Sequence, residues 1–308
     1  MRNIFGLLFI LLLISSCNSS AEEQPTESSK KLKITCTTSM LGDAVKQMFG
    51  DAVDVDVLMG PGVDPHLYKA TQGDLGRLTD ADVIVYNGLH LEGKMGTILE
   101  NLALRKPVIA AAELLPENRL LYLSVEDDIH DPHVWFDVRL WAFLCHELRD
   151  SLISIDSTGL SSTLEQSDAY LFELRQLDDW TRMELSKIPQ EQRVLITAHD
   201  AYEYFGRAYG VEVKGLQGIS TVAEYGLRDV SELVQFISSR KIPAIFLESS
   251  VPKRSMEAVL EGCQRNGFEV KLGATLFSDA MGDENTPEGT YIGMVKHNVN
   301  SIKSALMP

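Results

Sequence analysis

Two of the chain's seven histidines close the same tripeptide, Asp64-Pro65-His66 and Asp131-Pro132-His133. A given tripeptide is expected well under once in a chain of this length, so the repeat carries weight. Proline fixes its own backbone and pushes the preceding residue extended. A histidine after such a corner sits on a stiff chain and loses little entropy when it grips a metal. Coincident turns carrying two solvated histidines are the plainer alternative.

Position along the chain adds to the set. His199 ends the apolar run Arg193–His199, and His66 follows the run Val53–Met59 through the turn Gly60-Pro61-Gly62. Asp279 stands just past another run, in Leu276-Phe277-Ser278-Asp279, and Glu248 also ends a run. Ligands of open α/β sheets collect beyond the carboxyl ends of the strands, so these residues point to one crevice fed from both halves of the chain. His66, His133, His199 and Asp279 offer three imidazoles and a carboxylate, donors that suit zinc and also manganese or iron(II). A shell filled by four protein ligands holds a metal without presenting a water for hydrolysis, which favours carriage over catalysis. Binding needs neutral imidazoles, so affinity is expected to fall below about pH 6.

Other reactive patterns are weaker. His90, His146 and His297 lie in or beside helical patterns and read as surface residues. His130 follows the acidic run Glu126-Asp127-Asp128 and reads as part of a solvated loop, with an auxiliary metal-catching role as the alternative. Ser250-Val251-Pro252-Lys253 spells Ser-x-x-Lys, but its partner motifs Ser-Asp-Asn and Lys-Thr-Gly are absent. Cys36, Cys145 and Cys263 form no Cys-x-x-Cys spacing, and no disulfide is expected among them.

The elements that must position these residues alternate. Strands are expected at Lys31–Ser39, Val53–Met59, Val83–Asn87 and Pro107–Ala112, with helices at Leu41–Phe49, Gln72–Thr79 and Lys94–Leu102 between them. A second set starts at Arg193–His199 and continues with Val211–Leu216, Ala244–Ser249 and Glu269–Phe277, spaced by helices at Arg228–Ser239 and Ser255–Asn266. This predicts an α/β chain of two lobes, each with a roughly four-stranded parallel sheet flanked by helices. Between them, Ser162-Thr163-Leu164-Glu165 has the form of a capping box, and no Gly or Pro interrupts the sequence to Ser186. One long rigid helix joining the lobes is expected there, about 36 Å long if it has about 24 residues.

The first residues read as a targeting segment. Arg2 precedes an eleven-residue apolar run, Ile4 to Ile14, which ends in Ile14-Ser15-Ser16-Cys17. The run is too short to span a bilayer, which takes about 20 residues, and reads as a signal-peptide core. The ending resembles a bacterial lipobox with Cys17 as the lipidated residue. The expected organisation is a leader at 1–16, a polar tether at 17–31, an N-terminal lobe at 32–160, a connecting helix at 161–188 and a C-terminal lobe at 189–308. A formal charge of −16 excludes a nucleic-acid partner, whose phosphates demand a basic face.

Several ordered motifs together resemble one family. They are Gly60-Pro61-Gly62-Val63-Asp64-Pro65-His66-Leu67-Tyr68, Asp131-Pro132-His133-Val134-Trp135-Phe136-Asp137, Ala198-His199-Asp200-Ala201-Tyr202-Glu203-Tyr204-Phe205, Phe246–Ser250 and Phe277-Ser278-Asp279. In these the chain is similar to the zinc/manganese-binding substrate-binding lipoproteins of ABC importers, the cluster A-I metal receptors. The resemblance implies two lobes bridged by one helix, with a single Zn2+ or Mn2+ per chain clamped between them as transported substrate. It places the ligands on His66, His133, His199 and Asp279, and implies handover to an ABC permease and its ATPase. It also implies a monomer held to a bacterial membrane by an N-terminal lipid, facing the periplasm or the exterior. His199 leans toward zinc, whereas the Phe246–Ser250 and Phe277–Asp279 segments look more like the manganese group. An adhesion lipoprotein with a structural metal is one rival. A metal-dependent hydrolase using Asp137 or Glu248 as base is another.

Overall fold

The computed structural model describes residues 31–124 and 129–307. The expected leader, Cys17, the tether as far as residue 30 and the acidic run 126–128 lie outside the described residues. The chain opens with β1 (Leu32–Cys36), α1 (Ser39–Phe49), β2 (Val53–Val57), α2 (Gln72–Asp80), β3 (Val83–Tyr86), α3 (Gly96–Ala103) and β4 (Val108–Ala110). These strands form one parallel sheet in the order β2-β1-β3-β4, with Leu32 opposite Val53 and Ile34 opposite Val83. A short antiparallel hairpin, β5 (Tyr122–Ser124) and β6 (Ile129–His130), leads to the second Asp-Pro-His. Then follow α4 (Val138–Ile155), the single turn α5 (Ser157–Leu160) and α6 (Leu164–Leu185).

The second half repeats the first. It runs β7 (Val194–His199), α7 (Glu203–Tyr209), β8 (Glu212–Gln217), α8 (Leu227–Arg240), β9 (Ala244–Ile245), α9 (Arg254–Arg265), β10 (Lys271–Leu272) and α10 (Tyr291–Leu306). β7 pairs with β8 and β9 with β10, all parallel, and Phe246 N–H donates to Ile196 O at 2.9 Å to lay β9 beside β7. The order β8-β7-β9-β10 therefore mirrors that of the first sheet. The last two strands are shorter than the sequence suggests. Gly273 N–H bonds Ile245 O and Leu276 N–H bonds Leu247 O, so one strand carries a residue more than its partner. That bulge-type irregularity ends the regular ladder before Glu248 and Asp279 and re-aims both.

The long helix is present, with a different start. α6 holds 22 residues, and Thr163, at its N-cap, makes no side-chain cap; the expected capping box at Ser162 is not formed. The preceding turns run straight into the helix, and the Thr163 hydroxyl bonds Leu160 O instead. Leu171, Leu174, Leu177 and Leu185 are buried along one face, while Leu164 and Met183 are exposed. Ser167 Oγ donates to Met48 O at 2.8 Å near one end of the helix, and Arg182 reaches Ala208 O at 2.6 Å near the other. α6 thus touches α1 of the first half and α7 of the second.

α10 crosses back as well. Tyr291 N–H donates to Asp43 Oδ2 at 2.8 Å, and Tyr291 OH donates to Trp135 O at 2.7 Å. The main core consequently runs unbroken from Ile34 through Trp135, Trp141 and Leu174 to Leu306. Cys36, Cys145 and Cys263 are buried and unpaired, and burial pushes the Cys36 thiol up to about 12. Among the described residues no helix is long and apolar enough to cross a membrane.

One glycine couples the sheet to the crevice. β8 passes β7 so closely at Gly215 that a Cβ there would stand 2.5 Å from the His199 carbonyl carbon and 2.6 Å from Asp200 N. Both atoms are backbone and cannot step aside. Gly215→Ala is expected to cost about 1–3 kcal/mol, as overpacked cores do, read as a lowered midpoint in urea unfolding.

Candidate metal centre

Three loops and the end of β7 deliver the four sequence-predicted ligands to one point. His66 is 4% exposed, His133 and His199 0%, and Asp279 2%. Each offers one ligand atom, and these atoms all lie within 4.8 Å of one another. Nε2 of His66 stands 3.3 Å from Nε2 of His133, which is 3.5 Å from Oδ1 of Asp279. Nε2 of His199 is 3.3 Å from Oδ2 of Asp279. Tetrahedral zinc with bonds of about 2.0–2.1 Å has ligand–ligand edges of about 3.3–3.4 Å. Three of the donor–donor distances are close to such edges, and the four donors together lie within 4.8 Å of one another.

Proton positions follow from the groups behind each ring. Nδ1 of His133 stands 2.7 Å from Asp131 Oδ1, and Nδ1 of His199 stands 2.6 Å from Glu248 Oε2. A carboxylate there calls for a proton on Nδ1, which leaves Nε2 free to coordinate. Among the described residues neither oxygen of Asp279 has a well-aligned hydrogen-bond partner, nor does either ring nitrogen of His199 or Oε2 of Glu248, although all are buried. Buried polar atoms left in this way are costly unless a cation takes them up. The donor set fits a divalent metal.

Electrostatics says which group yields a proton to it. Burial pushes the His66 imidazole down to about 3, so it is neutral at physiological pH. Burial also opposes charge on His199, but the carboxylates of Glu248 and Asp279 outweigh it and raise its pKa well above the ordinary value. Burial would raise Asp279, yet the neighbouring imidazoles, His199 foremost, hold it below the usual carboxylate range. Without a cation, His199 therefore carries a proton through neutral pH.

Polar braces set the loops. Buried Glu92 accepts from the Thr37 hydroxyl at 2.6 Å, Asn87 N at 2.7 Å and Gly88 N at 3.2 Å. Asn87 Nδ2 in turn donates to Pro132 O at 3.0 Å and fixes the corner before His133. Tyr204 OH donates to Asp131 O at 3.1 Å. The segment before Asp279 is held from three sides: Trp135 Nε1 donates to Ser278 O at 3.0 Å, Tyr202 OH to Phe277 O at 3.1 Å, and Asn298 bonds both the N–H and the C=O of Phe277.

The remaining candidates fall outside the cluster. His90 is exposed in a turn, and His146 pairs with Glu147 on α4 at 3.1 Å. His297 contacts Thr275 O and Glu288. His130 lies in β6, half-buried with its ring tilted against that of Tyr122 at a centroid distance of 4.1 Å, rather than in a solvated loop. Glu248 is no ligand but the carboxylate behind His199, anchored by Ala198 N and His199 N at 2.6 and 3.0 Å. Ser250 bonds the Ser278 hydroxyl at 2.9 Å. Sequence reasoning missed Asp131 as an orienting group, although it stands in the repeated tripeptide, and gave no hint of Glu92 or Asn87.

A family model described as zinc-uptake complex component A, periplasmic, matches residues 34–305. The chain belongs to this family. Its members are solute-binding receptors rather than enzymes. The manganese-binding lipoprotein MntA of Bacillus subtilis is 44% identical over 301 residues, covering 98% of this chain and 97% of that protein. The zinc-binding protein TroA of Treponema pallidum is 48% identical over 277 residues, covering 90% and 89%. The solved structure of periplasmic TroA superposes with a TM-score of 0.87 at 47% identity, covering 90% of this chain and 100% of that one.

A proton held on His199 must leave when a metal arrives. Calorimetry in buffers of different ionisation enthalpy should therefore show about one proton released per zinc at pH 7. Because His199 is protonated below its raised pKa, apparent affinity should rise by up to about tenfold per pH unit across neutrality, not only below pH 6.

Proposed function

We propose that this chain captures one divalent transition metal, zinc or manganese, between its lobes and delivers it to an ABC permease driven by an ATPase. The observation that carries this reading is the buried set of three imidazoles and one carboxylate whose donor atoms lie within 4.8 Å of one another. In this reading His66 and His133 hold the cation from the first lobe, and His199 and Asp279 complete the shell from the second. Four protein donors leave no position for a hydrolytic water, which is what carriage requires. Zinc is accommodated with one oxygen of Asp279. The second oxygen supports the higher coordination numbers open to manganese.

The two relatives bear on the metal only by their names. At 44% and 48% identity one is named for manganese and the other for zinc, so similarity over the whole chain does not separate the two. In our reading residues 32–160 and 189–308 act as the lobes and 161–188 as the connector, with α10 returning to the first lobe. The lipoprotein relatives and the Ile14–Cys17 motif support cleavage after residue 16, lipid on Cys17 and work outside the cytoplasm on a membrane tether; in our reading the working unit is a monomer.

Asp279→Ala removes the only anionic ligand. Zinc affinity measured by calorimetry on the metal-stripped protein is expected to drop by more than about 100-fold, beyond the range seen for groups behind the ligands. Unchanged affinity would contradict the assignment.

A further inference from the structure

The two Asp-Pro-His tripeptides fold alike and then diverge. In each, the histidine N–H donates to the aspartate Oδ1 at 2.9 Å. Asp131 also takes Nδ1 of its own histidine at 2.7 Å, and Glu248 sets a carboxylate oxygen 2.6 Å from Nδ1 of His199. His66 has no counterpart: among the described residues its Nδ1 makes no hydrogen bond, and at 4% it is the most exposed of the four. A ligand ring without such a group behind it is held less firmly than its neighbours.

What Asp64 does instead is reach across the cleft. Its Oδ2 accepts from the Thr221 hydroxyl at 2.6 Å, a residue 157 positions away in the loop after β8. The same first-lobe loop approaches the second lobe again at Gly62, whose φ is +71° and where a Cβ would lie 3.5 Å from Ser249 O. The loop that carries His66 is thus fastened to the opposite lobe, and among the described residues its one side-chain hydrogen bond there is Thr221–Asp64.

We propose that the Thr221–Asp64 hydrogen bond is an interlobe latch that sets the rate of metal release, with His66 the ligand that parts first. This rests on the receptor reading above. The bond joins the two lobes, so it exists only while the cleft is shut. It lengthens the life of the loaded state and leaves capture untouched. Thr221 is a positioning residue here: it contacts no metal and acts through Asp64 on the His66 loop.

The test is a stopped-flow chase of zinc into excess chelator from the wild-type protein, Thr221→Val and Thr221→Ser. Loss of the hydroxyl should speed release by about tenfold, the scale of one hydrogen bond to a charged acceptor. The association rate and the metal-free melting temperature should stay at wild-type values, and Thr221→Ser should restore slow release. Wild-type release from Thr221→Val, or faster release that serine does not restore, would overturn the latch and leave the receptor reading standing. A wild-type protein that takes up neither zinc nor manganese would overturn both.

Discussion

A carboxylate buried among three imidazoles is the charge around which the two lobes are organised. Asp279 is almost without solvent, and among the described residues neither of its oxygens has a well-aligned hydrogen-bond partner. Such a group is tolerable only beside positive charge. His199 supplies it by holding a proton, and a divalent metal supplies it better. The same desolvation that makes the carboxylate costly alone makes it a strong partner for a cation, because little water competes. Proton and metal are alternatives for one position, and Glu248 behind His199 supports either.

The surrounding structure keeps that charge in place with unusually few moving parts. The segment before Asp279 is tied to Trp135 of the His133 loop, to Tyr202 beyond His199, and to Asn298 of α10. Three of the four ligands are therefore braced on one another across the lobes. α6 and α10 pack on both halves, so a wide hinge would tear the shared core. Movement is left to loops, and the least braced loop is the one bearing His66. Capture and release consequently fall on one small element while the rest of the site stays preorganised.

Much of this was legible in the sequence, for identifiable reasons. His66, His133, His199 and Asp279 stood out because a repeated stiff tripeptide and strand ends are local features that a one-dimensional pattern records. Five of the eight expected strands are matched to within two residues at each end, and β1 to within three. The other two, β9 (Ala244–Ile245) and β10 (Lys271–Leu272), stop short, because the bulge between them is a matter of pairing that one strand's pattern does not carry. The capping box failed for a related reason: Ser162 has the right residue type, but the turns before it already feed the helix. The roles of Glu248, Asp131 and Glu92 were hidden because they depend on which ring or backbone amide lies opposite, and that is set by the meeting of distant segments.

In the proposed receptor a bound metal sees protein on every side. X-ray absorption at the metal edge of the zinc-loaded protein tests it most directly. Three imidazole nitrogens and a carboxylate oxygen are expected at about 2.0–2.1 Å, with no solvent oxygen. A shell with fewer than three imidazoles, or one dominated by water, would contradict it.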